Sequence, residues 1–227
     1  GLIEIITLDE NGAATANTDL PFGSYYVKEI ATDEHYILSD TQYPFTFEYA
    51  GQNTETVEIK VNDGKPIENK LIYGSVSGKK IDENGEALGG ALIGIFKADE
   101  TEFTKEHAIM TATSEKDGSF SFAQVHYGQW IVREIEAPEG FVLDDTSYEV
   151  NIGENEQVIE VKITDEYIHG NIELTKVDAD YPDNKLSGAV FEVYKDKTGN
   201  GILDKEDELV GTLTETFAAI EMAKRAG

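Results

Sequence analysis

Three polar side chains fall on the apolar faces of predicted β-strands, where they could react with one another. Because side chains alternate between the two faces of a strand, Glu134 lies on the same face as Trp130. Lys80 and Asp165 fall in the same way on the apolar faces of two other predicted strands. An amine and two carboxyl groups are therefore directed toward one core.

The chemistry open to such a group is condensation. Burial disfavours charge, so a lysine can become a neutral amine and the acids can become protonated, the states needed for attack at a carbonyl. A protonated Glu134 would polarise the carbonyl of Asp165 and shuttle protons, giving a Lys80–Asp165 isopeptide bond with loss of water. The alternative is a buried ion pair with a second carboxylate, or a lysine whose stem is covered while its amine reaches water.

The chain repeats itself, and the repeat divides it into three units. The segment GSVSGKKID at 74–82 aligns with GNIELTKVD at 170–178, and LPFGSYYVKE at 20–29 aligns with VHYGQWIVRE at 125–134. We call residues 74–168 the complete unit, residues 1–73 the first unit and residues 169–227 the last unit. The first unit has only the later strands of the pattern and the last unit only the early ones. The tail Phe217–Gly227 departs from the repeat and has a mildly helical pattern.

The two partial units hold complementary parts of the same constellation. Glu29 aligns with Glu134, and Asn69 takes the place of Asp165, where an isopeptide bond would form with loss of ammonia. Lys176 of the last unit aligns with Lys80 and shares its strand face with apolar side chains. Neither partial unit contains both an amine and an acceptor, so neither can close its own bond.

Strand and turn patterns in the complete unit predict the fold. Short alternating or β-branched runs are separated by turn sequences such as Asn84-Gly85, Asp117-Gly118 and Pro138-Glu139-Gly140. Seven short strands in about a hundred residues are typical of a small antiparallel sandwich. We therefore predict an all-β chain of tandem antiparallel β-sandwiches, one complete unit between two partial ones, each with its own core. The predicted strands are Ser75–Ile81, Ala91–Lys97, Ala108–Thr113, Ser119–Ala123, Gln129–Glu136, Ser147–Ile152 and Gln157–Asp165.

Several motifs together resemble those of a known family. They are a K-x-D strand at 80–82 and again at 176–178, a G-A-x-F/I strand, a D-G-x-F turn at 117–120 and E-x-x-A-P-x-G-F at 134–141. This combination resembles the Cna protein B-type (prealbumin-like, Ig-like Greek key) repeat domains of Gram-positive surface adhesins and pilins. The first unit departs from it, with ATDEH at 31–35 in place of the A-P-x-G part. The resemblance implies an intramolecular isopeptide bond from Lys80 to Asp165 assisted by Glu134. It also implies an extracellular protein that is anchored to the cell wall of a Gram-positive bacterium.

An acidic stretch in the last unit has the oxygen spacing of a calcium loop. In DKTGNGILDKED, at 196–207, oxygen-bearing groups fall at the first, third, fifth, seventh, ninth and twelfth places, with glycine at the sixth. It resembles the calcium loops in B-repeats of staphylococcal serine-aspartate adhesins. A solvated hairpin loop of turn-forming residues is the alternative. The candidate ligands of a Ca²⁺ ion are Asp196, Thr198, Asn200, the Ile202 carbonyl, Asp204 and Asp207; no other cofactor is expected.

Composition excludes several classes of function. Forty-five acidic against 18 basic residues give a net charge of -27, which disfavours nucleic acid and anionic membranes as partners. There is no cysteine for disulfides, no apolar run long enough to span a bilayer, and no nucleophile elbow, phosphate loop or dinucleotide motif. The sequence thus favours a structural stalk that contacts neighbouring repeats of its own chain. The alternatives are a module that binds a host matrix protein or glycan, and an accessory sandwich of a hydrolase.

Overall fold

A computed structural model of the protein describes residues 1–16 and 18–213 and is nearly all-β, as predicted. The tail Phe217–Gly227, for which the sequence suggests a helix, lies outside the described residues. Among those residues the only helical segment is one 3-10 turn, Val61–Gly64. The strands, numbered in chain order, are β1 Gly23–Lys28, β2 Gln42–Phe47, β3 Tyr73–Asp82, β4 Leu92–Lys97, β5 Met110–Thr113, β6 Ser119–His126, β7 Gly128–Glu136, β8 Tyr148–Ile152, β9 Val158–Asp165, β10 Phe191–Lys195 and β11 Glu208–Leu213.

The complete unit is a two-sheet sandwich built from β3 to β9. One sheet has the order β6-β3-β9 and the other the order β5-β4-β7-β8. All seven predicted strands are present, with ends that differ by at most a few residues. Strand alternation sends every second side chain between the sheets, where they form one core. Its buried members are Val76, Ala91, Ile93, Ile95, Phe120, Phe122, Val125, Val132, Val150, Ile152, Val161 and Ile163.

One strand pairing differs from the predicted antiparallel arrangement. β3 and β9, the first and last strands of the complete unit, run parallel, with Lys80 opposite Ile163 and Asp82 opposite Asp165. The other paired strands of the described chain are antiparallel. A parallel pair needs a long crossover, and here β4 to β8 supply it. The first and last strands of the unit consequently lie side by side.

The first and last units have hairpins but no second sheet within the described residues. β1 pairs with β2, and β10 pairs with β11. An isolated bridge between Tyr36 and Leu71 in the first unit matches the bridge between Phe141 and Tyr167 in the complete unit, which supports the predicted repeat. The division of the chain at residues 73 and 168 stays a prediction.

Residues 170–178 do not form the strand that their sequence predicts. Their one β-bridge joins Val177 to Lys185, and Ile172, Leu174 and Lys176 are exposed rather than directed into a core. The corresponding strand β3 is held between β6 and β9. No such pair of neighbours flanks residues 170–178 in the part of the chain that the structure describes, and a strand without neighbours lacks most of its hydrogen bonds.

No helix among the described residues has the length and hydropathy that a membrane span requires.

Gly78 provides a test of this packing. It lies in β3, between Val76 and Lys80, and a Cβ there would lie 2.1 Å from the ring of Phe120 and 2.5 Å from the backbone oxygen of Val161. Because the Val161 oxygen belongs to the backbone of the neighbouring strand β9, the clash can be relieved only by movement of the sheet. We expect Gly78→Ala to lower the free energy of unfolding by about 2 kcal/mol or more, measured by denaturant titration.

The control for this substitution is Gly153→Ala. A Cβ at residue 153 would find its nearest neighbour at 3.7 Å, an ordinary contact. Equal unfolding free energies for the two variants would contradict the sheet arrangement described here.

Candidate functional site

The candidate site lies between the two sheets of the complete unit. Lys80 extends from β3 and Asp165 from the end of β9, so these two residues belong to neighbouring strands of one sheet. Glu134 extends from β7 in the facing sheet. Each occupies an inward position of its strand, as the alternation predicts. The sandwich therefore directs all three side chains to one point in its core.

The three functional groups are in direct contact and wholly shielded from solvent. Lys80 Nζ donates a hydrogen bond to Asp165 Oδ1 and lies 2.9 Å from Glu134 Oε1. All three side chains have 0% exposure. Asp165 Oδ2 has no hydrogen-bond partner. Glu134 Oε1 forms an ion pair with the amine but not a well-aligned hydrogen bond. The amine is thus in direct contact with two carboxyl groups, each of which has an oxygen that accepts no hydrogen bond.

Burial changes the protonation of Glu134. Desolvation raises the pKa of this carboxyl to about 7, against the opposing effects of Lys80 and of a backbone hydrogen bond from Asp144. The nearby charge of Asp165 contributes to this rise in the pKa. A group that titrates near neutrality can both give and accept a proton at physiological pH, which suits a proton shuttle.

The loop after β7 holds the second oxygen of Glu134. The Asp144 amide donates a hydrogen bond of 3.0 Å to Glu134 Oε2, and the Tyr148 hydroxyl donates one of 2.7 Å to the Asp144 carboxylate. Burial opposes ionisation of Asp144, but hydrogen bonds from Thr146 and Tyr148 outweigh it and lower its pKa. Glu134 is consequently fixed so that Oε1 faces the amine.

Sequence reasoning missed this support, although the repeat contains a signal for it. In the first unit the Ser39 amide donates a hydrogen bond of 2.9 Å to Glu29 Oε2, at the same distance along the chain from the glutamate. Because the donor is a backbone amide in both units, the side-chain types of Ser39 and Asp144 do not indicate it. Only the equal spacing after the two aligned glutamates could have indicated it.

A third buried acid, Asp82, has a structural role. It shares the inward face of β3 with Lys80, but its carboxylate accepts hydrogen bonds from the Tyr167 hydroxyl and from the amides of Asn84 and Glu86. Burial opposes ionisation, but these hydrogen bonds prevail and lower its pKa. This part of the K-x-D motif therefore closes the Asn84-Gly85 turn at the end of β3.

The first unit brings Glu29 and Asn69 together without an amine. Asn69 Nδ2 donates hydrogen bonds of 2.7 Å to Glu29 Oε1 and 2.8 Å to Thr32 Oγ1. Asn69 Oδ1 is shielded from solvent and has no hydrogen-bond partner. In the described chain no lysine forms an ion pair with Glu29, and Lys176 is exposed in the last unit. The structure thus joins two of the three predicted groups here.

The predicted calcium ligands lie in a loop whose backbone amides donate hydrogen bonds to the loop's own carboxylates. Asp196 accepts hydrogen bonds of 2.6 Å from the amides of Gly199 and Gly201, and Asp207 accepts one of 2.9 Å from the amide of Asp204. Within the described residues, no three His, Cys, Asp or Glu side chains form a group suited to a metal ion. A cation would therefore also need the oxygens of Thr198, Asn200 and Ile202, and calcium binding stays a prediction.

Comparison with known proteins identifies related sequences and folds. The chain matches a family model described as SpaA, prealbumin-like fold domain, over residues 3–65 and 74–167. No curated protein matches it. The Bacillus anthracis TIE protein is similar in structure, with a TM-score of 0.64 and 24% identity over 91% of this chain. That match covers 36% of the TIE protein, so the chain spans about a third of its length.

Two further solved structures match with lower TM-scores. BcpA, the major pilin subunit of Bacillus cereus, is 25% identical over 43% of this chain and 29% of its own, with a TM-score of 0.36. The streptococcal ancillary pilin is 20% identical over 86% of this chain and 63% of its own, with a TM-score of 0.38.

Calcium titration tests the loop at 196–207. We expect millimolar calcium to raise the thermal unfolding midpoint of the chain, because an ion that binds only the folded loop stabilises it by mass action. Asp196→Ala should remove that rise, whereas Asp145→Ala, at an exposed acid outside the loop, should keep it. An unchanged midpoint of the unsubstituted chain on addition of calcium would exclude the site.

Proposed function

This chain belongs to the family of SpaA prealbumin-like fold domains, and on that premise we propose that it is a structural stalk segment of a Gram-positive surface adhesin or pilin. The family match bears out the resemblance to prealbumin-like repeat domains. In this proposal the complete unit locks itself with an isopeptide bond between Lys80 and Asp165. The observation that carries the proposal is the solvent-free contact of Lys80 with both Glu134 and Asp165.

The bond forms by condensation within the folded unit. A proton passes from Lys80 to the Asp165 carboxylate, which leaves a neutral amine beside a carboxylic acid. The amine attacks Cγ of Asp165 while protonated Glu134 donates a hydrogen bond to the carbonyl oxygen. The new C–N bond forms, Glu134 passes a proton from the attacking nitrogen to the Asp165 hydroxyl, the C–O bond to that hydroxyl breaks, and it leaves as water. One amide and one water result, and Glu134 ends as it began.

The fold supplies what this reaction needs. Packing of two sheets holds the amine and the carbonyl in contact, which replaces a bimolecular encounter by an intramolecular one. The full burial of the site keeps water from competing and from reversing the condensation. The Asp144 amide fixes the orientation of Glu134. Since the product is the protein itself, the chain reacts once and is not a turnover enzyme.

The position of the bond suits a protein under tension. β3 and β9 run parallel, so force applied at the start of β3 and the end of β9 pulls the pair in opposite directions. The Lys80–Asp165 bond would pass that force directly from the first strand to the last. Residues 81–164, which include most of the core, would then carry none of it.

The bond would also stabilise the unit at rest. By analogy with disulfide closure of a long loop, it would add about 4 kcal/mol by restricting the unfolded chain. Unlike a disulfide it resists reduction, which fits a chain without cysteine. The acidic charge of the molecule and its repeated units fit an extracellular spacer whose partners are neighbouring repeats, and we place it at the cell-wall-anchored surface.

Intact mass spectrometry tests the bond. We expect the folded chain to weigh one water less than its sequence, with a cross-linked peptide that joins Lys80 to Asp165. Lys80→Arg, Glu134→Ala and Asp165→Ala should each restore the full mass, because each removes a reacting or proton-carrying group. Lys79→Arg is the matched control: Lys79 is adjacent but exposed and pairs with Asp117, so this variant should still lose water. A full sequence mass for the folded, unsubstituted chain would refute the proposal.

The pH dependence of the reaction tests the role of Glu134. Its pKa is raised from 4.5 to about 7, so the protonated form predominates below neutrality and is lost as pH rises through that value. In freshly synthesised chain, we expect the rate of water loss to fall between about pH 5.5 and about pH 8.5. Time-resolved intact mass measures it. A rate that rises throughout this range would assign the essential proton to another group.

A further inference from the structure

The turn between β6 and β7 contacts a loop of the first unit. Tyr127 lies in this turn, and its hydroxyl donates a hydrogen bond of 3.1 Å to Oε2 of Glu34. The ring of Tyr127 also meets the His35 imidazole, with ring centroids 5.0 Å apart and ring planes inclined at 69°. Edge-to-face contact at this distance is a favoured arrangement of two rings. Two consecutive residues of the first unit thus contact one side chain of the complete unit.

Hydrogen bonds within the loop orient the His35 ring. Oδ1 of Asp33 accepts hydrogen bonds from the His35 amide, at 3.0 Å, and from Nδ1 of the His35 ring, at 2.6 Å. These hydrogen bonds lower the pKa of Asp33, so its carboxylate is ionised at neutral pH and the shared proton lies on Nδ1. The hydrogen bond to Glu34 raises the pKa of Tyr127, which keeps the phenol protonated as a donor. The side chains of residues 33–35 and Tyr127 therefore form one connected group.

The backbone connects the same loop to the same turn. The Ile72 amide donates a hydrogen bond of 2.8 Å to the His35 oxygen, and the Ile72 oxygen accepts one of 3.2 Å from the Tyr127 amide. Ile72 immediately precedes β3, so the residue that leads into the complete unit is hydrogen-bonded to both sides of the contact. The segment that joins the two units is therefore part of the contact rather than a free linker.

The residues of this loop are those that depart from the A-P-x-G part of the family motif. Counted from the aligned glutamates, Asp33 and His35 correspond to Pro138 and Gly140 of the complete unit. Gly140 has a φ of 95°, a conformation that favours glycine, whereas the φ of His35 is not positive and suits a residue with a side chain. The first unit thus has an acid and an imidazole where the complete unit has no polar side chain.

We infer that residues 33–35 are a docking loop that holds the first unit in a fixed orientation on the complete unit, with the Tyr127 turn as the surface that receives it. The partner that this loop fits is a neighbouring unit with a tyrosine at its β6-β7 turn. The inference goes beyond the proposed stalk role, since it states how two units are joined. It does not rest on the Lys80–Asp165 bond, because its residues are not those of that site.

Docking determines how the joint between the two units responds to load. Domains that are joined by a linker move relative to each other unless their interface restrains them. Here the restraint comes from surface side chains, since Glu34 and His35 are exposed and Tyr127 is half-buried. Surface contacts of this kind are individually weak, so the joint should open and close without unfolding of either unit. The docking loop therefore makes the joint stiff at rest and reversible under tension.

The distance between two spin labels tests the docking loop. The chain has no cysteine, so Thr46→Cys and Thr111→Cys give one label in β2 and one in β5, both at exposed positions. Double electron–electron resonance on the full chain should give a narrow distribution of label distances. In this labelled chain, Tyr127→Phe, Glu34→Ala and His35→Ala should each widen the distribution. The combined Glu34→Ala/His35→Ala variant should widen it about twofold, because it frees the two units to move.

The control variants change residues of the same types outside the contact. Tyr26 is exposed on β1, Glu139 aligns with Glu34, and His107 pairs with Glu100 within the complete unit. Tyr26→Phe, Glu139→Ala and His107→Ala should therefore leave the distribution of label distances narrow.

Three outcomes would refute the docking loop. They are a wide distribution in the labelled chain without further substitution, a distribution that stays narrow in every docking-loop variant, and equal widening in the controls. Tyr127→Phe keeps the ring and removes only the hydroxyl, so an unchanged thermal unfolding midpoint should accompany its wider distribution. The intact mass of the same samples reports the Lys80–Asp165 bond separately, so failure of one proposal is distinguished from failure of the other.

Discussion

One ammonium group enclosed with two carboxyl groups in a dry core is the constraint on which the rest of the complete unit depends. A buried charge costs several kcal/mol unless its neighbours compensate it, and removing one partner of such a set is strongly destabilising. Here Lys80 and Asp165 balance each other, and burial raises the pKa of Glu134 so that it can remain protonated near neutrality. The group can thus be neutral as a whole, which makes its position in the core tolerable.

The strand topology is what brings these groups together. The first and last strands of the unit are parallel neighbours, so residues 80 and 165 meet although most of the unit separates them along the chain. β7 supplies Glu134 from the opposite sheet, and the loop after it supplies the amide that orients the carboxyl. The same pairing determines what the proposed bond would join, namely the two strands through which the chain enters and leaves the unit.

The two partial units act as internal comparisons for the complete one. Glu29 accepts the same loop-amide hydrogen bond at Oε2 as Glu134 does, although no lysine contacts it in the described chain, which indicates that the acid is oriented by its own strand and loop. The lysine does not behave in this way, since Lys176 has the local sequence of Lys80 but is exposed. Orientation of the acid is thus local to one hairpin and its loop, whereas burial of the amine requires two neighbouring strands and a facing sheet.

The sequence by itself determined the strands of the complete unit, their inward faces, the repeat and the family. These features depend on side-chain alternation, turn residues and spacing, which are local along the chain. It did not determine that β3 and β9 are parallel, that Asp144 supports Glu134 through its backbone, or that residues 170–178 lack a strand. Those features depend on what packs against a segment from elsewhere in the chain. Lys80 and Lys176 occupy equivalent places in the repeat, but the strands around Lys80 bury its amine, whereas Lys176 is exposed.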